Sequence, residues 1–571
     1  MRQKKICLKP SPNLSHSRTD KDIIIKKPLY LLIVIVAVFF IMGHPSCWGM
    51  PSTPMVQGEP KEKDKLISYG DAFVTSSIAD ARTLIPILAS DSASGDIVGL
   101  LFNGLVKYDK NIELTGDLAG SWDIKENGLV IIFHLKRHVK WHDGRPFTAE
   151  DVKFTYDKLI DPDVPTPYSG DFKKVKSFEI IDPYTIKITY KEPFSPGLAS
   201  WGMPIMPKHI LKKENLLTTK FSRHPVGTGP YKFKRWKTAE RIDLEANEDY
   251  FEHCPYITRY ISRIIPDITT TFLELITFNI DSMGLSPIQY RKLTNTKKFS
   301  KNYNKFKYPS FGYTFMAYNL KNPLFKDKRV RQAFNYAVNK DEIIKGVLLG
   351  LGSVSTGPFI KDSWAYNENV KSYSFSPDRA RSMLKQAGWK DSNGDGWLDK
   401  NGRMFEFTII TNQGNELRIK TAEIIQRRLK EIGVKVNIRV LEWAVFLNEF
   451  INKNRFEAVI LGWSLSRDPD SFDIWHSSKT KTGEFNFIHY ANPEIDKLLV
   501  EGRRIFDKDK RAAIYAKVHE ILYDDQPYMF LYVADSLPAV SSRFKGIEPA
   551  PIGIGYNFID WYVPKTEQRY Q

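Results

Sequence analysis

The stretch FKDKRVRQAFNYAVNKDEIIKGVL (325–348) has helical spacing from residue 330 onward. Its apolar residues fall on one helical face: Val330, Phe334, Ala337, Val338 and Ile344. The stretch is followed by Gly-Leu-Gly-Ser, a combination that stops helices. We therefore predict one amphipathic helix over residues 330–348 that buries its apolar face against a larger structure.

Outward from this stretch, helical and strand-like segments mix without a regular alternation. Segments 376–388 and 417–433 have helical spacing, and 376–388 starts with a Ser-Pro pair suited to a helix N-terminus. β-branched and aromatic residues predict strands at the following segments: 67–75, 129–135, 185–190, 231–236, 241–247 and 434–443. The order indicates an α/β or α+β assembly of several lobes.

The composition is that of a globular protein. The chain has 571 residues, of which 42% are hydrophobic, 13% aromatic and 26% charged. These values exclude disordered, collagenous and coiled-coil proteins, and the length predicts two to four lobes. The three cysteines, Cys7, Cys47 and Cys254, are too few for a disulfide framework or a Cys-rich zinc site.

The first 49 residues have the order of a targeting segment. Lys26 and Lys27 precede an apolar run over 29–42, which is short for a bilayer span, and small residues follow. We interpret 1–49 as a signal peptide. An uncleaved N-terminal anchor and lipidation at Cys47 remain alternatives. A Pro-rich, charged linker is expected over 50–61.

The net charge of +17 does not indicate a nucleic-acid-binding protein. Residues 1–49 hold eight Lys or Arg and two Asp or Glu, so +11 remains for the rest of the chain. The segment 290–307 holds seven Lys or Arg and no acid, but it matches no nucleic-acid-binding module. A solvated basic face is the favoured interpretation.

Two patterns resemble metal sites. His134, His138 and His142 recur every fourth residue, but their β-rich context predicts a strand, on which they would lie too far apart for one ion. Segment 391–402 resembles a calcium loop with Asp391, Asn393, Asp395 and Asp399 as ligands, but Gly402 stands where a bidentate Glu is expected. A tight turn is the favoured interpretation, and a weak calcium site is the alternative.

No catalytic motif is present. The glycine-rich PVGTGPYKF (225–233) matches neither a phosphate-binding loop nor a dinucleotide fingerprint, and it suits a chain that crosses between lobes. Neither G-x-S-x-G nor H-E-x-x-H occurs. We expect no enzymatic activity, no catalytic residues and no cofactor.

Several stretches together resemble the large solute-binding proteins of ABC importers, which include oligopeptide- and dipeptide-binding proteins. The most specific are VKWHDGRPFTAEDV (139–152) and FKDKRVRQAFNYAV (325–338). LFNGLVKYD (101–109), HPVGTGPYKFKRW (224–236) and LGWSLSRDPDSFDIWHS (461–477) occur in the family's order. The similarity covers most of residues 65–560.

The resemblance implies an α/β, two-lobed periplasmic binding protein of class II, the Venus-flytrap type, with an extra α+β domain. Carried onto this chain, lobe I comprises 62–108, 220–312 and 538–571. The extra domain is 109–219, inserted in lobe I, and lobe II is 313–537. The two lobes are expected to close over a ligand by a hinge movement.

The resemblance also implies a ligand site between the lobes. Its lobe I side is expected to include Ser92, Ala93 and Ser94, and its lobe II side Gly462, Trp463, Ser464, Leu465 and Ser466. Trp463 would form an apolar wall, or alternatively a core residue behind the cleft. Many relatives carry an Asp where this chain has Ser466, so a fixed bond to the ligand ammonium is in doubt. Asp468 could substitute, although Asp-Pro-Asp is equally typical of a turn.

We therefore expect a monomeric periplasmic protein that captures peptides and delivers them to the permease and ATPase subunits of an ABC importer. It would be exported, with membrane association through the N-terminal segment if that segment is retained. Two alternatives remain open. The same fold could bind an oligosaccharide, a metal chelate or an opine, or it could act as a signalling or chaperone-like module that holds peptides. No nucleic-acid partner is expected.

Overall fold

A computed structural model describes residues 67–570 of the chain. The predictions of a signal peptide or anchor over 1–49, a linker over 50–61 and lipidation at Cys47 lie outside the described residues. Within residues 67–570, no helix combines the length and the apolar character that a bilayer span requires.

The part of the chain up to residue 305 contains twelve strands and seven helices in the described residues. The strands are β1 (Ala72–Ser77), β2 (Val106–Tyr108), β3 (Leu114–Gly116), β4 (Ala119–Lys125), β5 (Val130–Leu135), β6 (Val175–Asp182), β7 (Thr185–Tyr190), β8 (Tyr231–Lys237), β9 (Arg241–Ala246), β10 (Arg259–Ile264), β11 (Ser282–Gly284) and β12 (Tyr303–Lys305). The helices are α1 (Ser92–Leu101), α2 (Ala149–Ile160), α3 (Ser169–Phe172), α4 (Gly197–Ser200), α5 (Lys208–Leu211), α6 (Ile268–Ile276) and α7 (Lys297–Asn302).

Eight of these strands form two separate four-stranded sheets, while β2 pairs with β3, and β11 and β12 pair with a later strand. One has the order β4-β5-β7-β6 and is antiparallel, and the other has the order β1-β10-β9-β8 with β1 parallel to β10. The strands predicted at 129–135, 185–190, 231–236 and 241–247 are confirmed as β5, β7, β8 and β9. The strand predicted from residue 67 starts only at Ala72, because Gly70 and Asp71 have positive φ angles of 129° and 72°.

The part from residue 308 contains ten strands and eight helices. The strands are β13 (Tyr308–Pro309), β14 (Gly312–Tyr318), β15 (Gly352–Val354), β16 (Asp399–Lys400), β17 (Arg403–Met404), β18 (Glu406–Asn412), β19 (Lys435–Leu441), β20 (Ala458–Ser464), β21 (Tyr528–Ser536) and β22 (Pro538–Ser541). The helices are α8 (Lys328–Ala337), α9 (Lys340–Gly346), α10 (Pro377–Gln386), α11 (Glu416–Lys430), α12 (Trp443–Val445), α13 (Phe472–Trp475), α14 (Pro493–Gly502) and α15 (Lys508–Asp525).

A mixed seven-stranded sheet dominates this second part. Its order is β13-β21-β14-β20-β18-β19, with β15 paired to β21. Side chains alternate between its faces, so Phe315 and Phe530 enter one buried core while Met316 and Met529 enter the other. Both faces are covered, which explains why its central strands are almost continuously apolar.

The helix predicted over 330–348 is instead two helices, α8 and α9. Val338 and Asn339 between them are extended, and the Asn339 side chain accepts a hydrogen bond from the backbone N–H of Glu342. Asn is a strong N-cap residue, and this cap starts a second helix in a new direction. The helices predicted at 376–388 and 417–433 are confirmed as α10 and α11.

A buried ion cluster ties three distant parts of the chain together. Arg543 pairs with Asp71, and its Nη2 lies 2.9 Å from Oδ2 of Asp281. Arg543 also donates to the backbone oxygen of Ala72 at 3.0 Å, and Asp281 accepts from the backbone N–H of Val74 at 3.0 Å. The cluster fixes β1 against β11 and against β22, which lies between β11 and β12 in a three-stranded sheet.

The glycine-rich segment 225–229 passes close to other backbone, and His142 holds it in place. Cβ atoms at Gly227 and Gly229 would lie 1.7 Å and 2.5 Å from backbone oxygens of α1, so side chains are excluded there. The backbone N–H of Gly227 donates to Nδ1 of His142 at 3.0 Å, and Nε2 lies 3.0 Å from the Gly229 oxygen. The imidazole is therefore neutral, with its proton on Nε2, and burial lowers the pKa of His142 to about 4.

His142 should make the chain sensitive to acid. An imidazole whose folded pKa is about 4, against about 6.5 when unfolded, contributes stability above pH 6.5 that is lost as the pH falls to 4. We expect this loss to reach about 3 kcal/mol in the wild type and to be absent in His142→Gln. Urea unfolding at pH 4, 5 and 6.5 measures the difference.

The exposed His138 supplies the matched control, because His138→Gln leaves both hydrogen bonds of His142 in place and should keep the loss of stability attributed to His142. If the free energy of unfolding depends on pH in the same way in the wild type and in His142→Gln, the imidazole is not the neutral, hydrogen-bonded group described beside segment 225–229.

Candidate ligand-binding site

The predicted segment 462–468 begins in the last residues of a central strand of the seven-stranded sheet and continues beyond its end. Gly462, Trp463 and Ser464 are the last residues of β20, which lies between β14 and β18. The strand ends where the Leu465 N–H donates to the backbone oxygen of Phe311 at 2.9 Å. Beyond it, the Asp468 carboxylate accepts from the Asp470 N–H at 2.9 Å and forms the turn that precedes α13. Ser464 and Ser466 are exposed at this edge.

Trp463 is half-buried on an aromatic base. Its ring centroid lies 5.3 Å from that of Phe485, 6.0 Å from Phe487 and 6.1 Å from Phe315. Its Nε1 donates to the hydroxyl of Tyr528 at 3.4 Å. One side of the indole therefore belongs to the core, while the remainder is open to solvent.

An aromatic chain runs from Trp463 to the segment before α1. The ring of Phe485 meets that of Tyr168 edge-on at 5.8 Å, and the Tyr168 hydroxyl donates to the Ala89 oxygen at 3.0 Å. Burial raises the pKa of Tyr168 to about 12, and the nearby Asp91 and Asp473 add to the shift, so the hydroxyl stays protonated. Segments 89–94, 168 and 463–485, which are far apart in sequence, thus meet at one place.

The predicted residues before and within α1 differ in access. Asp91 caps the helix and accepts from the backbone N–H of Ser94 at 3.1 Å and from its hydroxyl at 2.8 Å. Ser94 is fully buried, and its oxygen also accepts from the Arg82 N–H at 2.9 Å. Ala93 is nearly buried, whereas Ser92 is exposed. Ligand contact by these residues stays a prediction.

Charged groups form a second bridge beside the aromatic chain. The Arg503 guanidinium donates to Asp470 at 2.6 Å and to Asp171, just after Tyr168, at 2.8 Å. Burial raises the pKa of Asp171, Arg503 opposes the shift, and the neighbouring Asp473 and Asp470 add to it. Lys479 pairs with Asp473 at 2.7 Å.

Both oxygens of Asp468 are occupied within the chain. The Arg511 guanidinium donates to them at 3.0 Å and 2.9 Å in a bidentate pair. Burial lowers the pKa of Arg511, but the hydrogen bond to Asp468 outweighs it, so the pKa is raised overall. The Asp-Pro-Asp turn interpretation describes this segment, and the role of Asp468 as a ligand anchor stays a prediction.

A cavity of about 460 Å³ lies beside the predicted site. Its lining includes Asn103, Tyr108 and the buried Asp117, whose carboxylate accepts from Asn103 Nδ2 at 3.0 Å and 3.1 Å. Tyr108 faces the Ser466 side chain and the Asp468 backbone, and burial raises its pKa to about 12. The cavity rim therefore adjoins the segment that follows Trp463.

The segment 391–402, which resembles a calcium loop, forms the tight turn that was the favoured interpretation. The Asp391 carboxylate accepts from three backbone N–H groups, those of Gly394, Asp395 and Gly396, and Asp399 accepts from Ser392 at 2.6 Å. The Asn393 side chain donates to Asp395 at 2.9 Å. In the part of the chain that the structure describes, no three His, Cys, Asp or Glu side chains are grouped to hold a metal ion.

Sequence analysis did not identify Tyr168, Phe485 or Arg503 as site residues. Tyr168 and Phe485 belong to irregular connections, and Arg503 follows the end of α14. They reach the site only through tertiary structure, and no local pattern distinguishes them from surface residues.

Comparison with known proteins gives the family. Residues 113–484 match the bacterial extracellular solute-binding proteins, family 5. The chain is also 34% identical over 546 residues to the oligopeptide-binding protein AppA of Bacillus subtilis, which covers 94% of this chain and 98% of AppA. The chain belongs to solute-binding protein family 5.

Solved structures of family 5 proteins share the fold. The B. subtilis AppA structure, in complex with a nonapeptide, superposes with a TM-score of 0.83 over 87% of this chain and 100% of AppA. DppA of Helicobacter pylori, in complex with the peptide STSA, gives 0.79 at 28% identity, over 88% of this chain and 100% of DppA. NikZ of Campylobacter jejuni, in complex with Ni(L-His), gives a TM-score of 0.78 at 30% identity, over 86% of this chain and 99% of NikZ. The two-lobed α/β fold of a periplasmic binding protein is thereby confirmed.

The geometry predicts that Asp468 stabilises this family 5 fold. Asp468→Asn would leave the largely buried Arg511 without a charged partner, which should lower the free energy of unfolding by about 1–3 kcal/mol. Urea unfolding compares it with Glu248→Gln, which removes an exposed carboxylate and should change stability little. Unchanged stability together with weaker ligand binding would instead make Asp468 a ligand contact.

Proposed function

We propose that the chain is an extracytoplasmic binding protein that captures peptides between its lobes and delivers them to the permease and ATPase subunits of an ABC importer. The observation that carries this proposal is the similarity to AppA, which extends over nearly the whole of both chains and includes a structure with a bound nonapeptide. H. pylori DppA, described as associated with an ABC transporter and bound to a peptide, supports the same conclusion.

We propose that lobe I comprises 62–108, 220–312 and 538–571, the extra domain 109–219, and lobe II 313–537. The sheets support these boundaries. The sheet β4-β5-β7-β6 falls within 109–219, and six strands of the seven-stranded sheet fall within 312–536, whereas its short strand β13 (Tyr308–Pro309) lies just before the proposed start of lobe II. The three-stranded sheet combines strands on either side of lobe II in sequence, because β22 pairs with both β11 and β12.

We propose that the ligand lies along the exposed end of β20, against Trp463 and between the two bridges. Gly462, Ser464, Leu465 and Ser466 would face it from lobe II, and Ser92 and Ala93 from lobe I. An extended peptide can pair its backbone with strand edges, which tolerates many sequences. Ser94 and Asp468 would act by positioning these segments, since their side chains are engaged within the chain.

A non-peptide solute is the second candidate. NikZ, at 30% identity and a TM-score of 0.78, is described in complex with Ni(L-His), so the same fold accommodates a metal chelate in that protein. Mass spectrometry of ligand released from protein purified from its native host separates the two. Peptides are expected, and a metal–amino acid complex as the only released species would favour the second candidate.

Export is expected from the family and from the order of residues 26–49. We propose that 1–49 directs the chain to the periplasm, where it acts as a monomer. N-terminal sequencing of protein from its native host should start between about residues 44 and 60 if the segment is cleaved. An intact Met1 on membrane-bound protein would make the segment an anchor, and an intact Met1 on soluble cytoplasmic protein would contradict export.

The mode of ligand capture can be tested directly. Because Ser466 carries no charge, acetylation of a peptide's N-terminus should weaken its binding less than about tenfold. Trp463→Ala should weaken binding more, since aromatic anchors in enclosed sites commonly contribute over about 2 kcal/mol. Calorimetry with the peptide identified by mass spectrometry measures both changes.

The exposed Tyr69, remote in sequence from both bridges, provides a control, and Tyr69→Ala should leave affinity unchanged. Loss of binding on acetylation with no effect of Trp463→Ala would show that an acidic group anchors the ammonium and would overturn this description of the site.

A further inference from the structure

The segment 290–307 forms a basic surface on the proposed lobe I. It holds seven Lys or Arg and no Asp or Glu. Within it, the buried Phe299 fixes α7 to the core, which places Lys297 and Lys301 on the opposite side of the helix. We call the four exposed lysines of this segment that follow Arg291 and precede Tyr303 the basic patch: Lys292, Lys297, Lys298 and Lys301.

The charges of the basic patch are not compensated by the protein. Within residues 67–570, no carboxylate forms an ion pair with any of its four lysines. The adjacent Lys305 on β12 also lacks an acid, because its ammonium donates to the backbone oxygen of Tyr290 at 3.0 Å and to two neutral side-chain oxygens at 2.9 Å and 3.1 Å. Only at the end of the segment does an acid approach, where Lys307 lies 4.0 Å from Asp535. A group of like charges without partners attracts an anionic surface.

Exposed apolar side chains accompany the basic patch. Of the twelve large apolar side chains that are exposed within residues 67–570, four fall between residues 273 and 293. Ile288 and Leu293 are 49% and 53% exposed and lie on either side of Lys292 in the chain, while Leu273 and Ile276 belong to α6. Exposed apolar residues are normally scattered singly, so this concentration indicates a contact surface.

The elements that carry these side chains are packed together. Phe272 of α6 and Phe299 of α7 belong to one small core. The segment that joins the two helices is attached to α6, because the side chain of Gln289 donates to the backbone oxygen of Ile268 at 3.4 Å. Since the inner sides of these elements meet, their outer side chains lie on neighbouring stretches of surface, where apolar and cationic groups mix.

An open depression of about 590 Å³ borders the basic patch. Its lining includes Ser300 and Asn304, which are exposed at α7 and β12, together with Lys305 and Lys545. On the far side, Lys545 lies 3.7 Å from Glu567. The depression therefore offers hydroxyl, amide and ammonium groups beside the basic patch and has room for a phosphate-bearing headgroup.

We propose that the basic patch and the apolar side chains beside it form a docking surface for an anionic phospholipid membrane. Lysines attract anionic headgroups without demanding a fixed geometry, and Ile288 and Leu293 enter the boundary between headgroups and acyl chains. An acidic protein fits this surface less well, because protein interfaces are rich in Arg and poor in Lys. The surface shares no residue with the proposed ligand site, so the proposal goes beyond peptide capture and does not depend on it.

Lysine acetylation, read residue by residue by mass spectrometry, tests the docking surface on the full chain. The vesicles contain phosphatidylcholine alone or a two-to-one mixture with phosphatidylglycerol. The mixed vesicles should protect the basic patch from acetylation, and the neutral vesicles should not. The protection should disappear in about 1 M salt, where screening acts within about 3 Å. The exposed Lys361, Lys385 and Lys420 of the proposed lobe II should be acetylated equally with both kinds of vesicle, which separates docking from membrane insertion of residues 1–49.

Variants identify which side chains are responsible, with protection of Lys292 as the measurement. A triple variant, Lys297→Gln, Lys298→Gln and Lys301→Gln, should need about a hundredfold more lipid for half-protection, at about fivefold per lysine. Its control replaces Lys361, Lys385 and Lys420 by Gln, which gives the same net charge and should leave protection unchanged.

The apolar contribution is tested in the same way. Leu293→Ser should raise the lipid concentration for half-protection about threefold to tenfold. Leu217→Ser removes a leucine of similar exposure, 58%, from the proposed extra domain and should have no effect. All of these positions are exposed, and thermal unfolding checks that each variant folds.

Four results would overturn the proposal. They are equal protection by neutral and mixed vesicles, unchanged protection in the triple variant, the same loss in its control, and no effect of Leu293→Ser. Protection by a soluble poly-Glu peptide but not by mixed vesicles would also overturn it and would identify an acidic protein as the partner. Peptide binding should be the same in the wild type and the triple variant, so failure of peptide capture would leave this test intact.

Discussion

The pairing of Arg543 with Asp71 and Asp281 is the interaction on which the rest of the structure depends. It joins three segments separated by more than two hundred residues, and all three ionic groups are almost completely buried. Removing one partner would leave a buried charge without compensation, which typically costs about 3–5 kcal/mol. The cluster holds β1, β11 and β22 together. β10 pairs with β1, and β9 pairs with β10. α1, which is proposed to face the ligand, packs against β8 at the far end of the same sheet.

Two contacts of different chemistry connect the segments around the ligand site. The chain Trp463–Phe485–Tyr168 buries apolar surface with little directional demand, whereas Arg503 between Asp470 and Asp171 requires a defined geometry. The aromatic contact stabilises the association of the segments, and the ion pair fixes their relative position.

The sequence predicted the fold class through family resemblance, and most regular elements through periodicity. α10, α11, β5 and β7 appear where the pattern placed them, because their apolar faces have one suitable partner surface. The prediction of a single helix over 330–348 was wrong, because a periodic pattern of apolar residues does not show that Asn339 starts a new helix. For the candidate site, the motif at 462–468 predicted ligand contact at the end of β20, and that contact stays a prediction. Tyr168, Phe485 and Arg503 were missed, since their positions depend on tertiary contacts between segments without a distinctive pattern.

The position of β22 in the middle of the three-stranded sheet constrains how the chain acquires its structure during synthesis. β11 and β12 occur more than two hundred residues earlier, yet neither has a partner in this sheet until Pro538–Ser541 arrives. Arg543, which neutralises Asp71 and Asp281, arrives at the same moment. Such distant pairings make folding slow. The three-stranded sheet and the buried ion cluster therefore form only after residues 538–543 have been synthesised.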